Sequence, residues 1–291
     1  MVRTTPEHSE EVGAALIDHG SVGIWEREPG VLTAYFSDDR PPQDVHRDLE
    51  VLIGSHGESL IIGFGVVQDE DWAAAWRASL SPLRITPRLT IVPSWTPYQP
   101  APGEHAIVLD PGMAFGSGHH ATTRACLAFL DARLAERSGA AVLDLGTGSG
   151  ILAIAAARLG ASRVIAYDID PEAVEVARAN VARNGVSGVV SVVDDAWVLG
   201  PYDVVVANIT AEPIVNLMPR IASVLAPSGE AILSGILADR EEAVLDALRA
   251  HGLLLRDRLQ DDGAPSEGHY AWVTLVAERP ARVDSRAASL L

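Results

Sequence analysis

The sequence predicts an α/β protein: a parallel sheet with helices over both faces, preceded by a small α+β domain. Three observations carry this. From about residue 106, short aliphatic runs alternate with helix-length apolar patterns, the signature of βαβ units. The last two apolar runs are joined only by DDGAPSEG, which predicts an antiparallel pair closing the sheet. Residues 1–67 differ in texture, reading as helix, hairpin, helix, strand, which is compatible with a ferredoxin-like sandwich.

Taken in order, Pro6 after Thr5 marks a helix start, and the pattern runs to about His19. Val22–Glu26 and Val31–Phe36 read as strands turned through Glu28-Pro29-Gly30. Pro41-Pro42 opens a helical stretch to about Leu52, and Leu60–Val67 reads as a strand; no full first strand is visible. Residues 69–80, DEDWAAAWRASL, read as a helix with acid at its positive end. Its Trp72 and Trp76, four apart, share one face and are set to pack on a neighbouring domain. Residues 93–105 hold four prolines and read as an extended linker. The organisation is therefore a domain over 1–67, a linker with a Trp-bearing helix over 68–105, a larger domain over 106–278 and a frayed tail over 279–291.

In the larger domain, strands are expected at Ala141–Leu145, Arg163–Tyr167, Val189–Val193, Asp203–Ala207, Glu230–Ser234, Leu253–Arg258 and Tyr270–Ala277. Helices are expected over about 120–135, 151–159, 171–184, 211–225 and 239–251. Near-continuous apolar strands between such helices mark a sheet buried on both faces.

Composition limits the function. The chain has 291 residues, 39 acidic and 22 basic side chains, a net charge of −17 and a hydrophobic share of 48%. Every basic residue is Arg; the chain has no Lys. This is globular, not disordered. It excludes general binding to nucleic acid or anionic membrane, which needs basic stripes, and favours a basic partner. The single Cys126 excludes an internal disulfide and any multi-cysteine metal site, and its apolar helical setting reads as a buried structural thiol. The N-terminus carries no apolar signal core and no run is long enough to cross a bilayer, so a cytoplasmic protein is expected.

The strongest motif is Val142-Leu143-Asp144-Leu145-Gly146-Thr147-Gly148-Ser149-Gly150, running into ILAIAAARLG. A buried strand, a glycine turn and an apolar helix let a ligand approach the main chain, with helix N–H groups facing an anionic group such as a carboxylate. The spacing is G-x-G-x-G. The third glycine of a dinucleotide fingerprint would stand at Ile151, which disfavours a dehydrogenase. Asp168 ends the next strand and suits ribose hydroxyls, whereas Asp170 suits a cap for the helix opening at Pro171. Asp144, on a buried strand, reads as a loop organiser. Asp194 and Asp195, ending the third strand, face either an adenine edge or solvent.

VLDLGTGSGILAIAA with AYDID resembles motif one and the ribose-binding acid of class I S-adenosylmethionine-dependent methyltransferases, whose seven-stranded sheet has an antiparallel last strand. Three further segments, LDPGMAFGSGHHATT (109–123), DVVVANI (203–209) and DEDWAAAWRASLSPLRI with IVPSW, resemble the ribosomal protein L11 methyltransferase family. That likeness runs from about residue 69 to the last strand and departs from many relatives at Ser117, where Thr is usual. It implies S-adenosylmethionine as cofactor, held by Thr123, Gly146, Thr147, Gly148, Asp168 and Asn208, with Asn208 also positioning the amine. Residues 112–118 would fold over the cofactor. His119 and His120 read better as packing and hydrogen-bonding residues than as bases.

Asn208-Ile209-Thr210-Ala211 lacks the prolines and aromatic of the Asn/Asp-Pro-Pro-Tyr motif that serves planar amides and bases, so a flexible amine suits it better. The implied reaction trimethylates lysine ε-amines and the N-terminal α-amine of ribosomal protein L11, taken as a free protein by a monomeric enzyme. Residues 1–67 would recognise that substrate by hinge motion. A same-fold methyltransferase acting on another protein or a small amine stays open, as does a non-catalytic cofactor-binding module.

Overall fold

The computed structural model describes residues 1–5, 8–36, 43, 45–47, 49–50, 60–61, 63, 65, 81–109, 118, 120–194, 200–261 and 271–281. The helix expected over 69–80, with Trp72 and Trp76, lies outside them. So do 110–117, His119, Asp195 and the end of the tail, 282–291. The chain divides into two compact units, Met1–Ser79 and Leu80–Leu291.

The first unit contains β1 (Val2–Arg3), α1 (Ser9–Asp18), β2 (Ser21–Glu28), β3 (Val31–Phe36) and β4 (Leu60–Ile61). The sheet order is β2-β3-β1-β4, all antiparallel, which is the ferredoxin-like arrangement. The first strand escaped the sequence because it is two residues long. It is nevertheless central: Val2 pairs with Leu32 on one side and Ile61 on the other. Val12 and Leu16, four apart on α1, and Val45 and Leu49 close the core with Val2 and Leu32.

The second unit opens with a three-stranded sheet, β5 (Leu83–Thr86), β6 (Leu89–Val92) and β7 (His105–Val108). Two of these strands lie in the stretch read from sequence as linker. β6 and β7 are parallel, and parallel neighbours need a crossover; the proline-rich residues between them supply it. That crossover is fastened by Glu104, whose carboxylate accepts from the Thr90 hydroxyl, from the Tyr98 hydroxyl at 2.6 Å and from the Ala101 N–H at 2.8 Å. These bonds hold the Glu104 carboxyl down at about 2.

The main sheet has β8 (Ala141–Leu145), β9 (Arg163–Tyr167), β10 (Val190–Val193), β11 (Tyr202–Asn208), β12 (Leu225–Leu237), β13 (Leu254–Asp261) and β14 (Trp272–Glu278). Its order is β10-β9-β8-β11-β12-β14-β13, and β14 runs opposite to the other six strands, as the missing helix predicts. Helices α2 (Ala121–Glu136), α3 (Ile151–Arg158), α4 (Pro171–Arg183), α5 (Ala211–Val224) and α6 (Glu241–Ala250) fall close to the expected ranges.

Alternate residues of the strands feed two cores. Val142, Val164, Val204 and Val206 pack with Leu127, Leu130 and Ile154 on one face. Leu143, Leu145 and Val205 pack with Ile214, Met218 and Leu248 on the other. The strand order reverses at β8, flanked by β9 and β11, so the carboxyl ends of these strands form the crevice where open α/β sheets take ligands. β13 is exposed at every position and bulged between Leu255 and Asp257.

Candidate active site

The loop after β8 turns on three glycines with positive φ: Gly146 at 72°, Gly148 at 53° and Gly150 at 82°. A Cβ at Gly146 would stand 2.4 Å from Ile209 Cγ2, so the side chain is excluded as well as the backbone angle. The N–H groups of Gly146 and Thr147 donate to the Tyr167 carbonyl at 2.8 and 2.9 Å, and that of Gly148 to Asp168 Oδ2 at 2.8 Å. These three donors are spent on the protein, unlike those of a phosphate cradle.

Asp168 sits where β9 ends. Its Oδ1 accepts from the Asp170 N–H at 3.1 Å. Each carboxylate oxygen thus accepts one backbone bond and keeps capacity for another. Asp170 caps α4, as its spacing predicts, accepting from the Glu172 N–H at 2.9 Å. Asp144 is fully buried. Its Oδ2 takes the Thr147 hydroxyl at 2.6 Å, and the Ala153 backbone N–H also bears on the carboxyl. Burial, with the charge of Asp168 adding, pushes its carboxyl up to about 7. The Thr147 hydroxyl therefore serves Asp144.

Asn208 ends β11, and Thr123 lies in the first turn of α2. Far apart in sequence, they meet through a 3.2 Å bond from Asn208 Nδ2 to Thr123 Oγ1. That bond fixes the carboxamide, and Asn208 Oδ1 is buried with no hydrogen-bond partner. His120 caps α2: its Nδ1 lies 2.7 Å from Thr122 Oγ1 and accepts from the Thr122 N–H, while its ring meets Trp272 edge-on at 5.0 Å. The packing and hydrogen bonding expected of His120 take the form of a helix cap, which the sequence reading did not assign to it. Asp194 pairs with Arg178 at 3.9 Å, with both side chains half exposed.

Sequence reading passed over one residue here. Ile169, between Asp168 and Asp170, is 82% exposed at the mouth of the crevice. A lone aliphatic between two acids was the available signal, since an exposed isoleucine beside a ligand crevice offers an apolar face.

The residues present suit a nucleoside with a cationic tail. Asp168 can accept from a ribose diol, Ile169 can cover a base, and the Asp168 carboxylate favours positive charge over phosphate. Among the described residues no group of three or more His, Cys, Asp or Glu could hold a metal ion, and no helix is long and apolar enough to cross a membrane.

The sheet with its one reversed strand, the glycine loop after β8 and the acid ending β9 make this the class I methyltransferase fold. The crystal structure of ribosomal protein L11 methylase from Lactobacillus delbrueckii subsp. bulgaricus shares it, at 36% identity and a TM-score of 0.59, covering 69% of this chain and all of that one. The profile of the family described as Ribosomal protein L11 methyltransferase (PrmA) matches residues 1–279, and the chain belongs to that family. Curated relatives of the same description include those of Pelotomaculum thermopropionicum, 40% identical over 95% of this chain and 96% of that protein, and Symbiobacterium thermophilum, 45% identical over 75% and 68%. A third, from Geobacter metallireducens, is 48% identical over 67% of this chain and 64% of its own length. The family expected from the motifs is the family found.

Proposed function

We propose that this protein transfers methyl groups from S-adenosylmethionine to lysine ε-amines and the N-terminal α-amine of ribosomal protein L11. The carrying observation is Asn208 Oδ1, a buried acceptor without a partner, on a carboxamide whose other end is fixed by Thr123. Such an oxygen accepts an N–H of an incoming neutral amine and aims the nitrogen lone pair. The family names support L11 as the protein that carries the amine.

In this reading Asp168 accepts the ribose hydroxyls, Ile169 packs on the adenine face, and Gly146, Thr147 and Gly148 pass the ligand along their main chain. When bound, the cofactor supplies an electrophilic sulfonium methyl. Lysine has a reference pKa of about 10.4 and must lose its proton before attack. Partial burial in the crevice disfavours the charged form. His120 is occupied as a cap, so the proton leaves to solvent. The unit Met1–Ser79 presents the substrate in more than one pose, which repeated methylation of several sites requires.

The test is to incubate the protein with S-adenosylmethionine and purified L11, then read intact and peptide masses. Increments of whole methyl groups on L11 are expected, and Asn208→Ala should cut kcat/KM by about 10²-fold by releasing the amine from its aligned position. Unmodified L11, beside a working positive control, would reject the reading. Methylation of free amines without L11 would favour the small-molecule alternative.

A further inference from the structure

The glycine loop presents a physical problem. Glycines let a ligand approach the main chain, yet they leave each peptide plane free to rotate. Something outside the loop must choose one conformation. On one side Asp168 does so by taking the Gly148 N–H. The opposite side has a fastener of its own. Asn180, buried on α4, donates its Nδ2–H to the Ser149 carbonyl at 2.8 Å. This fixes the peptide plane between Ser149 and Gly150, and the Gly150 N–H then meets the Thr147 carbonyl at 2.9 Å. One turn before Asn180 on the same face, Ala177 lies against Gly150, where a Cβ would come within 3.3 Å of its own.

The same helix is secured in turn. Asn184, 2% exposed at the end of α4, accepts the Val108 N–H on Oδ1 and donates Nδ2–H to the Val108 carbonyl, both at 2.8 Å. The carboxamide pairs with the end of β7 as a neighbouring strand would. Its Nδ2 also reaches the Asn180 carbonyl at 2.9 Å. Two buried carboxamides four residues apart thus tie α4 to β7 below and to the glycine loop above.

We propose that Asn180 is a positioning residue for the methyl donor: it sets the loop conformation that the cofactor binds, without touching the cofactor. This rests on the methyl-donor reading given above. Asn180→Asp keeps the shape but sets a carboxylate oxygen against the Ser149 carbonyl, turning a donor–acceptor pair into a repulsion. Asn180→Ala only removes the donor. Val181→Ala, a core truncation on the same helix, serves as a destabilised comparison that leaves the fastener in place.

Calorimetric titration with S-adenosylhomocysteine and full kinetics on L11 test this, at a temperature where all variants are folded. Asn180→Asp should raise the Kd and the cofactor KM at least tenfold, and Asn180→Ala by less. The KM for L11 should be unchanged and kcat at saturation should stay within about threefold. Val181→Ala should lower Tm with Kd within twofold of the parent. If Asn180→Asp does not fold, Asn180→Ala alone carries the test, with a rise beyond twofold required. Parent-like Kd in the folded Asn180 variants would overturn the inference. So would an equal rise in Val181→Ala, because the effect would then be general loosening. If the parent itself fails to bind S-adenosylhomocysteine, the methyl-donor reading falls and takes this one with it.

Discussion

Asp168 carries three loads on one carboxylate: the Gly148 N–H, the Asp170 N–H and, in the proposed complex, a ribose diol. Asp168→Asn keeps the size but loses one acceptor oxygen and the charge. Hydrogen bonds to charged groups contribute about 1.5–3 kcal/mol. S-adenosylhomocysteine should therefore bind about 10- to 100-fold more weakly by calorimetry, while a folded chain persists. Asp170 was legible in the sequence because its partner, the Glu172 N–H, lies two residues on, and Asp168 because it ends the strand after the glycine loop; the bond from Gly148 to Asp168 was not, since it joins two separate loops. The union of Asn208 with Thr123 was not derivable from spacing, since it joins the ends of elements that only the closed sheet brings together. The exposure of Ile169 was signalled only by the acids on either side of it, because periodicity tells which residues can be buried and not which apolar residue is left out.

The glycine loop is the element on which stability and ligand binding meet. Gly146→Ala should lose about 1–2 kcal/mol for the left-handed angle alone, and more for the contact with Ile209 Cγ2. Adding Ile209→Ala should recover the contact portion but not the angle portion, a coupling that urea denaturation of the single and double variants would show. Beneath the loop, Asp144 makes stability depend on pH. Its carboxyl titrates near 3.8 when unfolded and about 7 when folded. Between those values the native state holds a proton that the unfolded chain has released, so stability falls as pH rises through the window. Asp144→Asn cannot ionise and keeps an acceptor for Thr147. Its urea midpoint should match the parent near pH 4 and exceed it above pH 7. At the scale of elements, β8 and β9 were read to the residue because strands buried on both faces are unbroken apolar runs between turn signals. The sheet of β5, β6 and β7 was missed because its parallel pairing is non-local and its crossover is full of proline.

Over the whole molecule, a net charge of −17 shapes encounter. A ribosomal protein built to bind RNA carries a basic face that this surface attracts, whereas RNA phosphates repel it. The kcat/KM for free L11 should therefore fall as salt rises from low to physiological ionic strength, and assembled subunits should be methylated more slowly than free L11. Equal or faster methylation of subunits would contradict this. The absence of Lys removes every internal ε-amine as a target for self-modification. The strand β13 has a consequence for crowded cells. No described strand pairs with its outer side, and such an open margin invites another chain to add on. Here the bulge after Leu255 breaks the repeat that a visiting strand must match, and Arg256 and Arg258 are engaged with Glu278 and Glu241. The open margin of the sheet thus carries its own protection against stacking with a second copy of the chain.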